Sequence, residues 1–417
     1  MKKKVLSLLL VAAMGLSMLV GCGGGSDKPS GGNTENAGNN GGEVKEITLT
    51  VWAPDNQQEL LKKQEADFAA KHPEVTIKWV NAAVGEDTAK TEILKDVDAA
   101  ADVFMYANDQ VQELVQAGAI ARLGGDVETM VKDTIAPAVV DTVTVKGALY
   151  GIPFTHNTFF MFYDKELLKD VDITSLDAII AANTPDGVFN FRFDDAGGWK
   201  TGAWYYGAGL QVFGPAGDDL SAGCDWNTDK GVAVTDYIVK MLANPKVNYD
   251  KDALQLAGEG KLAAWFTGSW DYDNAKKALG DKLGVATIPT YTLNGEEVQL
   301  KGFYGSKAIG VNAKSKNLKL AQEFAAYLGS EEQQIARFNE TGTVPTNKAA
   351  GEIDAVKNDP VAAVIVKEAN ECSVAQPTDS LFGSRYWEQM KGFMDAVKNN
   401  ELNKTWLDKF VANLCAE

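Results

Sequence analysis

The chain has 417 residues but only two histidines and four cysteines, and that scarcity removes much of the chemistry its length would allow. His72 stands in Lys71-His72-Pro73, a helix exit that reads as surface. His156 therefore has no second imidazole with which to bind a metal, and no metal centre is expected. A histidine-dependent nucleophile is equally unsupported, because no Gly-x-Ser-x-Gly elbow occurs. Cys224, Cys372 and Cys415 are too scattered for a disulfide framework or a zinc site. One bridge is open to them; otherwise they read as mostly buried thiols. There is no phosphate loop. Gly258-Glu259-Gly260-Lys261-Leu262-Ala263 spells G-x-G-x-x-A, but it lacks a preceding strand and leads into an apolar run, so it reads as chance. No cofactor is expected.

Basic charge is also in short supply: 40 Lys and Arg stand against 57 Asp and Glu, a net charge of −17. Such a surface repels phosphate backbones, so nucleic acid is not an expected partner. A neutral ligand is indifferent to it.

Residues 1–21 read as a targeting segment rather than structure. Lys2-Lys3-Lys4 is a basic start and residues 5–20 are an apolar run short for a membrane span. The run ends in Leu19-Val20-Gly21-Cys22, which resembles the lipobox of bacterial lipoproteins and implies that Cys22 is cleaved free and diacylated. Residues 22–43 are mostly Gly and Asn, with Ser, Asp, Glu, Lys, Pro and Thr and almost nothing apolar, the composition of a flexible tether.

Beyond residue 43 strands and helices alternate. Residues 47–52, 75–80 and 102–106 are rich in β-branched and aromatic side chains, and helices are expected to about residue 71 and over 88–97. That rhythm argues a parallel sheet covered by helices. Ala107-Asn108-Asp109-Gln110 follows the third strand, so Asn108, Asp109 and Gln110 are placed either to bond a ligand or to cap the next helix. The apolar run 148–163 is interrupted at Thr155-His156-Asn157, as in a strand crossing between domains at a cleft. The last third is helix-rich, with helices expected over 318–328, 330–338, 361–369 and 386–398.

One stretch stands out: Ala263-Ala264-Trp265-Phe266-Thr267-Gly268-Ser269-Trp270-Asp271-Tyr272. It reads as a buried strand ending in Gly-Ser, with Trp265 in the core and Trp270, then Tyr272, at the strand's carboxyl end. Trp199, Tyr304 and Trp387 are further rings, and Asn56, Asn157 and the 108–110 trio supply polar groups. Flat rings against pyranose faces, with amides and carboxylates around the hydroxyl edge, suit a neutral oligosaccharide. A glycoside hydrolase would need two carboxylates flanking the bond; no pair among the acidic residues is singled out for that.

In order and spacing, the landmarks Leu49-Thr50-Val51-Trp52, Tyr106-Ala107-Asn108-Asp109, Gly151-Ile152-Pro153, Gly268-Ser269-Trp270 and Thr343-Val344-Pro345-Thr346-Asn347-Lys348 resemble the solute-binding proteins of bacterial ABC sugar importers, the maltose/maltodextrin group in particular. The resemblance implies an α/β, periplasmic-binding-protein-like fold of two lobes with a hinge and a ligand cleft between them. The lobes are expected over 44–154 plus 306–355 and over 155–305 plus 356–417. It implies a sugar site at Asp55 and Asn56, at Asp109, and at the three aromatics Trp199, Trp270 and Trp387, the last within Arg385-Tyr386-Trp387. Gln110 stands where the family has an arginine and Asn157 where it has a glutamate. Tyr106, Asn108, Tyr272, Tyr304 and Arg385 complete the expected site. The implied protein is no enzyme but a lipid-anchored monomer at the outer membrane face. It would deliver maltodextrin, or another gluco-, xylo- or galacto-oligosaccharide, to ABC permease subunits.

Overall fold

In the first strand, β1 (Lys45–Ala53), Ile47, Leu49, Val51 and Ala53 alternate with more exposed residues, the period-two pattern of a strand with one face in a core. A computed structural model describes residues 45–416; the targeting segment, the tether and Cys22 lie outside those residues. After β1 the chain forms α1 (Gln58–Lys71), whose Leu61 and Phe68 are buried as their spacing predicts. It then returns as β2 (Val75–Ala83), parallel to β1 along its whole length. The helix expected over 88–97 is shorter, Ala89–Ile93. Asp96 ends it, its Oδ1 accepting from the amides of Asp98 and Ala99, an alternative to helical bonding. β3 (Val103–Ala107) is buried throughout and leads, through one 3-10 turn, into α2 (Val111–Gln116).

The apolar run in the middle of the chain divides. β4 (Ile152–Asn157) belongs to the first sheet, and β5 (Phe160–Asp164) to the second. Thr158 and Phe159 carry the chain across. Phe159 and Met161 face one core cluster, Phe160 and Phe162 another. A strand buried on both faces needs no polar alternation, which is why this segment reads as continuous apolar sequence. The second sheet adds β6 (Phe189–Arg192), β7 (Val247–Asn248), β8 (Leu262–Thr267), which runs into α3 (Tyr272–Leu279), and β9 (Leu283–Ala286), in the order β9-β5-β8-β6-β7. Trp265 packs in its core beside Phe162, as expected.

β10 (Gly302–Val311) joins the two halves. Its residues 307–311 pair with β3, and 305–309 with β4. After α4 (Glu331–Thr341) and α5 (Pro360–Glu371) comes β11 (Ser373–Ala375), parallel to Gly302, Phe303 and Tyr304 of the same strand. The first sheet thus runs β11-β10-β3-β1-β2, with β4 also on β10. The helix expected over 386–398 is two: α6 (Ser380–Met390), capped by Asp379, and a turn-and-a-half at Phe393–Lys398 beyond Gly392. The result is two α/β lobes, each around its own sheet, linked by crossings near 158, along β10 and between α4 and α5.

Candidate functional site

The loops after β1, β2 and β3 all open at the carboxyl ends of parallel strands, where an open α/β sheet places its ligands. They form one wall of a cleft of about 650 Å³ between the lobes, with Asn56 and Gln57, Glu86 and Asp87, and Asp109 and Gln110 on it. Thr155, His156 and Asn157 at the end of β4 form its floor. The opposite wall carries Trp199, Trp270 and Trp387.

The three tryptophans are held differently. Trp270 is 37% exposed, the most exposed tryptophan among the described residues. Its turn, Ser269–Asp271, is pinned by Thr267 Oγ1 donating to Asp271 Oδ2 at 2.6 Å. The ring lies so close to Gly268 that a Cβ there would stand 2.1 Å from Cζ3, which explains the glycine of the Gly-Ser-Trp landmark. Trp199 lies 5.9 Å from it, centroid to centroid, tilted by 47°. Trp199 is braced edge-on by Phe159 at 5.0 Å, and its Nε1 donates to Gln376 Oε1 at 3.3 Å. Trp387 rests on Phe303, Phe382 and Tyr386. Next to Trp199, Ala196 is held at φ 47°, a left-handed conformation that is strained for a residue with a side chain and is tolerated here on the cleft wall.

Of the polar groups, Asp109 points a half-buried carboxyl at the cleft. Burial pushes it up to about 6, against the pull of the Lys90 ammonium. Asn157 and Asn56 also line the cleft. Gln57 is oriented from behind by the buried Arg337, whose Nε donates to Gln57 Oε1 at 2.9 Å. His156 pairs Nδ1 with Tyr304 Oη at 2.5 Å, and burial lowers it to about 4, so its imidazole is neutral at ordinary pH.

Six of the expected ligand contacts are elsewhere engaged or turned away. Tyr106 is fully buried and its hydroxyl reaches the Tyr150 carbonyl at 3.4 Å. A Cβ on Gly151 would stand 2.3 Å from that hydroxyl, so Gly151 of Gly-Ile-Pro serves packing. Asn108 is also fully buried, its Oδ1 accepting from Ser306 N at 3.0 Å, and it ties β3 to β10. Tyr272 packs toward Phe162. Tyr304 stands one layer behind His156. Arg385 donates to the carbonyls of Leu414 and Ala416. Asp55 is exposed on its turn, outside the cleft wall. Gln110 does line the cleft, but its amide is spent: Nε2 donates to the Glu86 and Asp87 carbonyls and Oε1 accepts from Lys90 N. It holds the loop that presents Glu86 and Asp87.

Several wall residues went unnoticed in the sequence. Glu86 and Asp87 follow a parallel strand, and the strand-end rule that drew attention to Asn108 would have found them. Lys307, Gln376 and Lys391 carry no such signal, because tertiary structure brings them to the cleft. Among the described residues no cluster of three or more His, Cys, Asp or Glu is placed to hold a metal ion, and Cys224, Cys372 and Cys415 are free thiols, of which Cys372 is fully buried.

A cleft between two α/β lobes, with rings on one wall and hydroxyl-bonding groups on the other, defines a binding protein for a small polar solute. The chain belongs to the bacterial extracellular solute-binding proteins, whose family model matches residues 63–364. It is a binding protein, not an enzyme. It is 29% identical over 412 residues to the maltooligosaccharide ABC transporter solute-binding lipoprotein of Streptococcus pneumoniae (strain ATCC BAA-255 / R6), covering 93% of this chain and 91% of that protein. A structure determined with acarbose superposes with a TM-score of 0.82 at 38% identity, over 88% of this chain and 98% of that one. The ligand-free maltodextrin-binding protein MalE1 from L. casei BL23 gives 0.78 at 28% identity, over 90% and 100%. No helix among the described residues is long and apolar enough to cross a membrane.

Proposed function

We propose that this protein captures maltodextrin, an α-1,4-glucan, between its lobes and hands it to an ABC importer. The observation that carries the reading is the convergence of Trp199, Trp270 and Trp387 on one 650 Å³ cleft opposite the carboxyl of Asp109 and the amides of Asn56 and Asn157. Rings bury the apolar faces of glucose units, and ionised or amide acceptors satisfy the hydroxyls that leave water. The similarity to proteins named for maltooligosaccharides and maltodextrin supports the same ligand class.

The lobes close on the sugar, the first of them reaching through β4 to Asn157 rather than ending at residue 154. The mature protein is a monomer held to the outer membrane face by a lipid on Cys22, with residues 23–43 as its tether, and permease subunits receive the closed form. Titration calorimetry against maltotriose, maltotetraose, xylotriose, cellotriose and a galactotriose tests the ligand. Binding of the two α-1,4-glucans is expected, lost in Trp270→Ala while the fold is kept. No heat with either glucan, or unchanged affinity in Trp270→Ala, would sink the reading.

A further inference from the structure

β10 slips register against β4 between Lys307 and Ala308. Such a bulge re-aims a strand residue relative to its neighbours. Ser306 and Ala308 are fully buried, while Lys307 between them reaches the cleft. Its Nζ stands 5.1 Å from the centroid of the Trp270 ring and 3.5 Å from Glu86 Oε2. The strand shared by the lobes thus sets a cation between a carboxylate on one wall and a ring on the other. Both members of the ion pair are largely buried, and their desolvation offsets much of what one 3.5 Å contact returns. The arrangement is better explained by what enters the cleft.

A sugar that stacks on Trp270 meets the ammonium on the ring face turned to the cleft. Resting on the sugar-binding reading above, we infer that Lys307 is a ligand-contact residue that sets specificity in the Trp270 subsite. In the empty cleft its ammonium covers the ring. A stacking pyranose displaces it to the hydroxyl edge, where it stays within reach of Glu86. There Lys307 can only donate and Glu86 can only accept, so the pair reads both senses of a hydroxyl. A ring lacking hydroxyls at that edge leaves the two charged groups only each other and forgoes both charge-assisted hydrogen bonds. The subsite therefore favours a fully hydroxylated pyranose over its deoxy analogue.

The test is calorimetry of wild type, Lys307→Met and Lys307→Arg with maltotetraose, and thermal unfolding of each. Lys307→Met is expected to bind at least about tenfold more weakly at an unchanged midpoint, the scale of a charge-assisted hydrogen bond, with Lys307→Arg recovering most of the loss. Affinity of Lys307→Met within twofold of wild type overturns the inference. If the Met variant does not fold, Lys307→Gln is held to the same criterion. Failure of wild type to bind any α-glucan is a separate result, against the ligand assignment alone. The comparison is then made with whichever sugar of the panel binds, and binding of none overturns both.

Discussion

Asp109 sits at the centre of the polar wall with a carboxyl that burial has pushed up to about 6. An ionised carboxylate accepts sugar hydroxyls more strongly than a neutral acid, and hydrogen bonds to charged groups exceed neutral ones by roughly 1 kcal/mol. Affinity for maltotetraose should therefore fall roughly fivefold as pH drops from 7.5 to 5, while in Asp109→Asn it starts low and stays flat. Calorimetry at four pH values checks this; equal slopes for the two proteins would remove Asp109 from the site. His156, neutral down to about pH 4, adds no slope in that window. At this scale the sequence was informative where a residue type has one main use. Trp270 after Gly-Ser reads as core or platform, and its 37% exposure takes it out of the core. Asn108 and Gln110 were illegible for the opposite reason. An amide that bonds a sugar and one that clamps a loop are the same residue, and only the backbone groups around them tell which.

Elements explain why the glycines of the landmarks recur where they do. Gly268 lies at the end of β8 beneath the Trp270 ring, and Gly151 enters β4 beneath the Tyr106 hydroxyl. Neither needs a left-handed backbone; each needs the absence of a Cβ. Gly268→Ala should push the Trp270 ring out of its seat. Binding should weaken about tenfold or more, while stability changes by about 1–3 kcal/mol, the ordinary cost of overpacking. Calorimetry and denaturant unfolding of the variant separate the two effects, and wild-type affinity would show that the ring's position is immaterial. The parallel αβ rhythm was plain in the sequence because β1, β2 and β3 keep to period and are punctuated by helices. The bulge at Lys307 was not, since it exists only between β10 and a partner 150 residues earlier.

At the scale of the whole molecule, one buried carboxyl that does not line the cleft ties stability to pH. Glu368 on α5 is fully buried; its Oε2 accepts from Ile288 N at 3.0 Å and its Oε1 has no partner. Burial pushes its carboxyl up to about 9, so it is protonated at neutral pH. The folded state then holds a proton that the unfolded chain gives up. The group's stabilising contribution is complete below about pH 4.3, is lost progressively as pH rises, and is gone above about 9. Glu368→Gln, which copies the neutral acid, should match wild type near pH 4.5 and exceed it increasingly toward pH 9. Chemical denaturation across that range measures the difference, and a variant less stable at pH 8 would contradict it.

β10 has a consequence for how the chain comes to be folded. The first lobe is built mostly from the opening third of the sequence, yet β3 lacks its neighbour until residues 302–311 are made. A chain emerging from the ribosome therefore passes through roughly 150 residues of synthesis after β4 with that sheet edge unfilled and its apolar groups uncovered. Filling of that edge waits for residue 311 of the 417.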